Sequence, residues 1–194
     1  GIVGGVTLLQ FANTMLSVIL PLNLALAGYS GTTTGLVVTG YGMGFLAGCV
    51  VNARLIRDVG HIRAFAVLAA ICSVTSMVFA LSGLIALWVL LRIVMGFCQA
   101  GLFTVVEGWL SAAAPSHARG GVLSFYLVAT KVAIVGAQVL LAQIGAGSPV
   151  WFEVAGAVFT LSLIPVANSM DGFATSHVMS ELLLPEPELL RTYL

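Results

Sequence analysis

The sequence predicts an all-α integral membrane protein with six transmembrane helices. Hydrophobic residues make up 60% of the 194 residues and charged residues only 7%, whereas a soluble domain carries about a quarter charged residues. The mean hydropathy is +1.12. Six apolar stretches are each long enough for a helix to cross about 30 Å of hydrocarbon, which takes roughly 20 residues.

The six predicted spans follow one another through most of the chain. They cover residues 3–27, 34–53, 64–81, 85–110, 122–143 and 150–167. Each is hydrophobic almost all round, as a helix within lipid must be. Trp88, Trp109 and Trp151 each fall near a predicted helix end, where an amphipathic indole ring sits well at the lipid headgroup level.

The first span carries polar side chains at helical spacing. Gln10, Asn13 and Ser17 share one face. Interhelical hydrogen bonding explains these groups about as well as ligand contact does.

The second span carries glycine at positions 40, 44 and 48. A GxxxGxxxG ridge of this kind lets another helix approach closely. Packing is therefore the predicted role of this ridge.

The connectors predict the orientation of the chain. Connectors 28–33, 82–84 and 144–149 carry no Lys or Arg, whereas the two that alternate with them carry Arg54, Arg57, Arg63 and Arg119. The positive-inside rule places these basic connectors in the cytoplasm. Because the number of spans is even, both chain ends are also expected to be cytoplasmic.

The fourth span places Arg92, Gly96, Gln99, Phe103 and Glu107 along one helical face, at steps of three or four residues. Ionisable groups within a membrane are costly and are functional candidates by default. Arg92 and Glu107 are separated by about 22 Å along the helix at roughly 1.5 Å per residue, so they cannot pair directly. Arg92, toward the outer end of this span, either faces a cavity or has a structural role, as a tether to backbone carbonyls or as a side chain that snorkels to the outer leaflet surface.

The fifth span places Ser124, Lys131 and Gln138 on one face, seven residues apart. Lys131 lies near the middle of the bilayer and is the most isolated charge in the chain. Its ammonium must meet a carboxylate, an anionic substrate group or water, or else lose its proton. We therefore predict that Lys131 faces a cavity, with structural pairing between helices as the alternative.

The sixth span ends the membrane pattern, and residues 1–168 are expected to form one bundle. Residues 169–194 mix scattered charges with proline and leucine runs too short to cross a bilayer. This polar cytoplasmic tail is interpreted as a truncation or frameshift product, with a regulatory extension as the alternative.

A stretch between the second and third spans resembles a signature of the major facilitator superfamily. ARLIRDVGHIR, residues 53–63, is similar to the pattern Gly-x-x-x-Asp-Arg-x-Gly-x-Arg-Arg. Gly60 and Arg63 match it. Ala53 stands where the first glycine belongs, and Arg57 with Asp58 stands in place of Asp-Arg.

Two further motifs resemble the same superfamily. RIVMGFCQAG, residues 92–101, is similar to its fourth-helix Arg-x-x-x-Gly pattern, which is often linked to proton coupling. APSHARG, residues 114–120, is similar to the Pro-x-x-x-Arg-Gly that opens its fifth helix. The stretches VVEGWL and LSFYLV are especially similar to poorly characterised bacterial members. The fifth span lacks the Gly-Pro antiporter motif.

The resemblance implies that the chain is the N-terminal half of a twelve-helix bundle, with substrate held between two halves and exposed alternately to each side. The first, second, fourth and fifth helices would then line the cavity, and the glycine ridge would lie near the missing half. The implied function is secondary active transport of a small solute across the cell (inner) membrane, with proton-coupled efflux or uptake as the form that the fourth-helix motif suggests. The expected partners are the lipid bilayer, the solute, and a C-terminal six-helix half or a second copy. No cofactor, metal or nucleic acid is expected.

Two sets of residues are the candidates that this interpretation selects. The substrate or coupling candidates are Lys131, Arg92, Gln99, Gln138, Asn13 and Gln10. The candidates for a cytoplasmic gating loop are Arg57, Asp58, Gly60, Arg63, Glu107 and Arg119.

Two alternatives belong to other classes. An intramembrane enzyme is suggested by GYSG at residues 28–31, which is similar to a rhomboid protease motif. However, the three histidines fall on the cytoplasmic side and Ser30 on the other, so no Ser/His pair can form, and no enzyme activity is expected. The second alternative is a non-transporting structural half that must dimerise.

Overall fold

The computed structural model describes residues 2–113, 119–145 and 147–166, which form six helices. These are α1 (Ile2–Leu26), α2 (Gly31–Val59), α3 (His61–Leu81), α4 (Ile85–Ala113), α5 (Arg119–Ile144) and α6 (Val150–Leu161). The first five are apolar and long enough to cross a membrane. The predicted all-α class is therefore confirmed. The tail at 169–194 lies outside the described residues.

The sixth predicted span, 150–167, is helical as far as Val166 but is interrupted by a turn. The regular helix α6 ends at Leu161, Ser162 follows as a turn, and a short helical stretch continues to Val166. Pro165 has no N–H to donate to the carbonyl of Leu161. The Ser162 hydroxyl also donates 2.6 Å to the Phe159 carbonyl. Both features weaken the regular helix at this point.

The connector predicted between the second and third spans is almost entirely helical. α2 continues to Val59 and α3 begins at His61, so Gly60 alone separates them. Gly60 has a φ of +88°, which residues with a side chain rarely adopt. Its N–H donates 2.9 Å to the Ile56 carbonyl. The expectation of a loop here is wrong, because 54–59 contains no helix breaker and the chain turns on one glycine.

The helices differ in how much of their surface the bundle covers. In the most apolar window of α2 only 22% of the residues are buried, and in α5 only 28%, whereas at least half are buried in α1, α3 and α4. The uncovered faces of α2 and α5 are apolar, with Leu46, Val50, Phe125 and Val132 all exposed. α1, α3 and α4 thus form the interior of this bundle.

The glycine ridge of α2 packs against α4. A side chain at Gly44 would overlap the Ile93 carbonyl, and one at Gly96 of α4 would overlap the Tyr41 carbonyl. A methyl group at Gly48 would lie 2.7 Å from the Phe97 carbonyl oxygen. The ridge does permit close helix approach, as predicted. The expectation that it lies near a missing half is wrong, because its partner is α4 of the same bundle.

Serine hydroxyls join α3 to α6. Ser76 donates 2.7 Å to the Phe152 carbonyl, and Ser73 donates 2.9 Å to the Gly156 carbonyl. Both serines are buried. Phe152 also packs against Phe79 of α3, with ring centroids 5.8 Å apart. Polar and aromatic contacts together hold α6 against the bundle.

Replacing Ser76 with alanine is expected to lower the free energy of unfolding by about 0.6 kcal/mol, the mean measured for interhelical hydrogen bonds in a membrane. Ser17→Ala is the control, because Ser17 is exposed and donates within its own helix to the Asn13 carbonyl. Thermal unfolding in detergent measures both variants. Equal effects of the two substitutions would contradict a role for Ser76 in holding α6.

Candidate functional site

A cavity of about 320 Å³ opens between α1, α2, α4 and α5. We call it the charged cavity. Its lining residues are Gln10, Phe45, Cys49, Ala100, Phe103, Thr104, Glu107, Tyr126, Leu127, Thr130, Lys131 and Ile134. These are the four helices that the family resemblance implied would line or flank a cavity.

Lys131 and Glu107 place opposite charges on the wall of the charged cavity. Lys131 lies at the middle of α5, twelve residues after Arg119 and thirteen before Ile144. Glu107 lies six residues before Ala113, the last residue of α4. Among the described residues neither side chain takes part in an ion pair or a hydrogen bond. The wall therefore presents one unpaired cation and one unpaired anion.

Arg92 is a buried cation farther along α4, eight residues before Ala100 of the cavity wall. It is 2% exposed. Its Nη2 donates 3.2 Å to the Leu16 carbonyl of α1, and its guanidinium lies 5.6 Å from the centroid of the Tyr41 ring. Asn13 donates 3.3 Å to the Tyr41 hydroxyl. Arg92 and Asn13, predicted on separate helices, are thus brought together through Tyr41.

The arrangement leaves polar atoms of this cluster unsatisfied. Within the described part of the chain, Arg92 Nε and Asn13 Oδ1 are buried without a hydrogen-bond partner. Arg92 also faces no carboxylate there. A buried polar group without a partner is costly. These atoms are available to a ligand, to water or to a further part of the protein.

Gln99 is a buried polar residue of α4 that contacts the wall of the charged cavity. Its Nε2 donates 3.3 Å to Oε1 of Gln10, which lines the cavity. Gln99 is 1% exposed, and its Oε1 has no partner among the described residues. The Gln99–Gln10 hydrogen bond therefore joins α4 to α1 at the wall of the charged cavity.

Several predicted residues lie elsewhere. Gln138 is exposed on α5 and does not line the charged cavity. Arg57 and Asp58 are exposed on the last turn of α2, and Arg63 is exposed on the first turn of α3. Arg119 is the first residue of α5, and its side chain lies outside the described part.

α4 contacts the junction of α2 and α3 through the aromatic side chain of Trp109. Its ring lies 6.5 Å from that of His61 and 5.8 Å from that of Phe65, centroid to centroid. Glu107 lines the charged cavity instead and makes no ion pair with Arg57 or Arg63 in the described structure.

Tyr41 and Asn52 are polar groups that the sequence analysis missed. Asn52 is fully buried, and its Nδ2 donates 2.9 Å to the Phe97 carbonyl. Asn52 follows Gly48 by four residues and therefore lies on the same helical face as the glycine ridge. This spacing was a signal that the Asn52 side chain faces the helix on which the ridge packs. Tyr41 offered no such signal, since an aromatic residue in an apolar span is ordinarily packing.

The fold and the cavity define a multi-pass helical membrane protein with charged groups between its helices. The chain belongs to the Major Facilitator Superfamily, whose family model matches residues 2–170. It is 30% identical over 147 residues to the uncharacterised MFS-type transporter YcaD of Salmonella dublin and to that of Salmonella gallinarum. It is 28% identical over 148 residues to YcaD of Salmonella enteritidis. Each match covers 72% of this chain and 37% of the relative, so the chain spans little more than a third of the length of these relatives.

Proposed function

We propose that this chain forms part of a secondary active transporter that moves a small solute across the membrane by alternating access. The observation that carries the proposal is Lys131, an unpaired cation at the middle of a membrane-length helix on the wall of a cavity. Charged groups at this depth are expensive in lipid and mark substrate or ion pathways. Membership of a superfamily of transporters supports this function over an enzymatic one.

The roles proposed for the polar residues follow their positions. Lys131 contacts the solute or the coupling ion directly, and Gln10 contacts it from α1. Arg92, Gln99 and Asn13 form a second layer that changes its hydrogen bonds as the cavity opens to one side or the other. The unpaired atoms of Arg92 and Asn13 support this role, because each has capacity for a new partner.

The ends of the helices supply the proposed gate. Gly60 provides the only break between α2 and α3, while Arg57, Asp58, Arg63 and Arg119 lie at the same end of the bundle. We place this end in the cytoplasm, together with both chain termini, because the basic residues of the connectors concentrate there. The exposed apolar faces of α2 and α5 are proposed to pack against a second six-helix half.

The test reconstitutes the full gene product in proteoliposomes. A panel of amino acids, monosaccharides and carboxylates is offered under an imposed pH gradient, and the internal content is measured by mass spectrometry. We expect at least one solute to accumulate, and Lys131→Ala to abolish this accumulation without reducing the amount of protein in the membrane, because the cavity loses its only lysine.

Gln143→Ala is the matched control, because Gln143 is exposed on the same helix and does not line the charged cavity. It is expected to leave accumulation unchanged. Accumulation of none of the panel would argue against the transport proposal. Normal accumulation by Lys131→Ala would remove Lys131 from the mechanism.

A second candidate function is a structural half that acts only after pairing with another copy. The uncovered apolar faces of α2 and α5 favour it. Size-exclusion chromatography with light scattering in detergent separates the two candidates, because this one requires a dimer. A monomer that transports would exclude it.

A further inference from the structure

Two opposite charges line one cavity without pairing. The Lys131 ammonium and the Glu107 carboxylate both contribute to the wall of the charged cavity, yet they form no ion pair with each other or with other described residues. Glu107 lies six residues before the end of α4, and Lys131 lies twelve residues after the start of α5. With these two helix ends taken as level, the two backbone positions differ by six residues, or about 9 Å along the bundle axis at roughly 1.5 Å per residue. Both residues therefore belong to the wall of one cavity at different depths along the bundle.

The energetics of a membrane interior make this arrangement informative. A charge removed from water is costly unless an opposite charge and hydrogen bonds compensate it. A solute with only a negative group would satisfy Lys131 and be repelled by Glu107. A solute with only a positive group would satisfy Glu107 and be repelled by Lys131. A solute with both groups compensates both residues at once.

The other residues of the cavity wall indicate the chemical character of the rest of the solute. Phe45 and Phe103 contribute aromatic surface, while Thr104 and Thr130 contribute hydroxyls. Both hydroxyls already donate to carbonyls of their own helices, Thr104 to Ala100 and Thr130 to Leu127. They are left to accept hydrogen bonds, as an ammonium requires. The volume of about 320 Å³ lies at the lower end of the roughly 300–1,000 Å³ of small-molecule sites, which suits a single amino acid.

We propose that the charged cavity binds a small zwitterionic solute with an apolar body, its carboxylate on Lys131 and its ammonium on Glu107. This inference deepens the proposed function by naming the substrate class, and it rests on that function only for the claim that the bound solute is transported. Amino acids with apolar side chains are the simplest members of the class.

The experiment measures binding with matched probes. Phenylalanine, phenethylamine and 3-phenylpropionate share one skeleton and differ in charge, as do leucine, isopentylamine and 4-methylpentanoate. Radiolabelled phenylalanine and leucine are bound to the full gene product in detergent by a scintillation proximity assay, and the amines and acids compete. We expect each amino acid to bind at least about tenfold more tightly than its amine or acid, a difference of about 1.4 kcal/mol.

Variants assign the two charges. Glu107→Gln is expected to lose the preference for the amino acid over the acid, and Lys131→Gln to lose the preference over the amine. The double exchange Glu107→Lys with Lys131→Glu is expected to restore amino-acid binding, because both charges are again present. Glu153→Gln and Arg54→Gln are the controls, since both residues are exposed and neither lines the charged cavity. All variants are first checked for a monodisperse size-exclusion peak.

The outcomes separate this inference from the transport proposal. If neither amino acid binds more tightly than its matched amine and acid, or if the single variants leave the preferences unchanged, the zwitterion assignment is wrong. Accumulation of another class of solute in proteoliposomes would then leave transport standing. Binding of an amino acid without its accumulation would support this inference and count against transport.

Discussion

Replacing Gly44 with valine is expected to prevent the protein from accumulating in the membrane in folded form, whereas the same change at Gly42 leaves it folded. The two glycines lie on the same helix, two residues apart, and point in different directions. Gly44 is buried, and a side chain there would overlap the backbone carbonyl of Ile93 on α4. Gly42 is exposed, with no atom within 4 Å of an added Cβ.

The large loss of stability expected for Gly44→Val follows from the atoms that the new side chain would overlap. Overpacking a core costs about 1–3 kcal/mol when side chains can shift. At Gly44 the obstacle is the backbone of α4, so relief requires α2 and α4 to separate. Such a separation would also remove the close packing of Gly96 against Tyr41 and of Gly48 against Phe97. A marginally stable bundle is not expected to survive this loss.

Membrane abundance by immunoblot and the size-exclusion profile in detergent measure both variants. We expect Gly44→Val to be degraded or aggregated and Gly42→Val to elute as the unmodified protein does. Gly44→Ala is expected to fall between them, because one methyl group demands a smaller separation of the helices. Similar behaviour of the Gly44 and Gly42 valine variants would contradict the packing of α2 on α4.

Much of the fold was predictable because membrane insertion imposes simple constraints. Length and hydropathy were enough to place α1, α3, α4 and α5. The α2–α3 junction was not predicted, because Arg54, Arg57, Asp58 and Arg63 made the stretch look like a polar loop. Charged residues are compatible with a helix that projects beyond the hydrocarbon, and hydropathy does not report helix length there. Gly60 was the true signal.

The sequence predicted which face of a helix carries the site residues, but not which residues of other helices they contact. Helical spacing put Arg92, Gln99 and Glu107 on one side of α4, and the structure assigns them different neighbours. Lys131 and Gln138 were predicted on one face of α5, yet only Lys131 lines the charged cavity. Seven residues fall about 20° short of two full turns, and Gln138 also lies about two turns farther along the helix. Which helices pack together decides such contacts, and a periodic pattern in one helix does not contain that information.

Replacing Arg92 with methionine is expected to abolish solute accumulation while leaving the free energy of unfolding unchanged or higher. A charged side chain within a spanning helix is costly, and Arg92, seven residues after the start of α4, is buried with no carboxylate beside it in the described structure. What Arg92 supplies in return is one bond to the Leu16 carbonyl and a position over the Tyr41 ring. The Leu16 carbonyl, inside α1, keeps its helical hydrogen bond when the guanidinium is removed.

This experiment decides between the two interpretations of Arg92 that the sequence left open. A tether that holds α4 to α1 predicts that Arg92→Met unfolds at lower temperature and that the remaining folded protein transports normally. A coupling group predicts that Arg92→Met unfolds at an unchanged or higher temperature and that the folded protein does not transport. Arg92→Lys sharpens the comparison, because it keeps the charge while losing the planar guanidinium that stacks on Tyr41 and donates several hydrogen bonds. We expect Arg92→Lys to retain partial transport, since charge is the property that a solute or proton pathway requires, whereas a purely geometric tether would be lost equally in both variants.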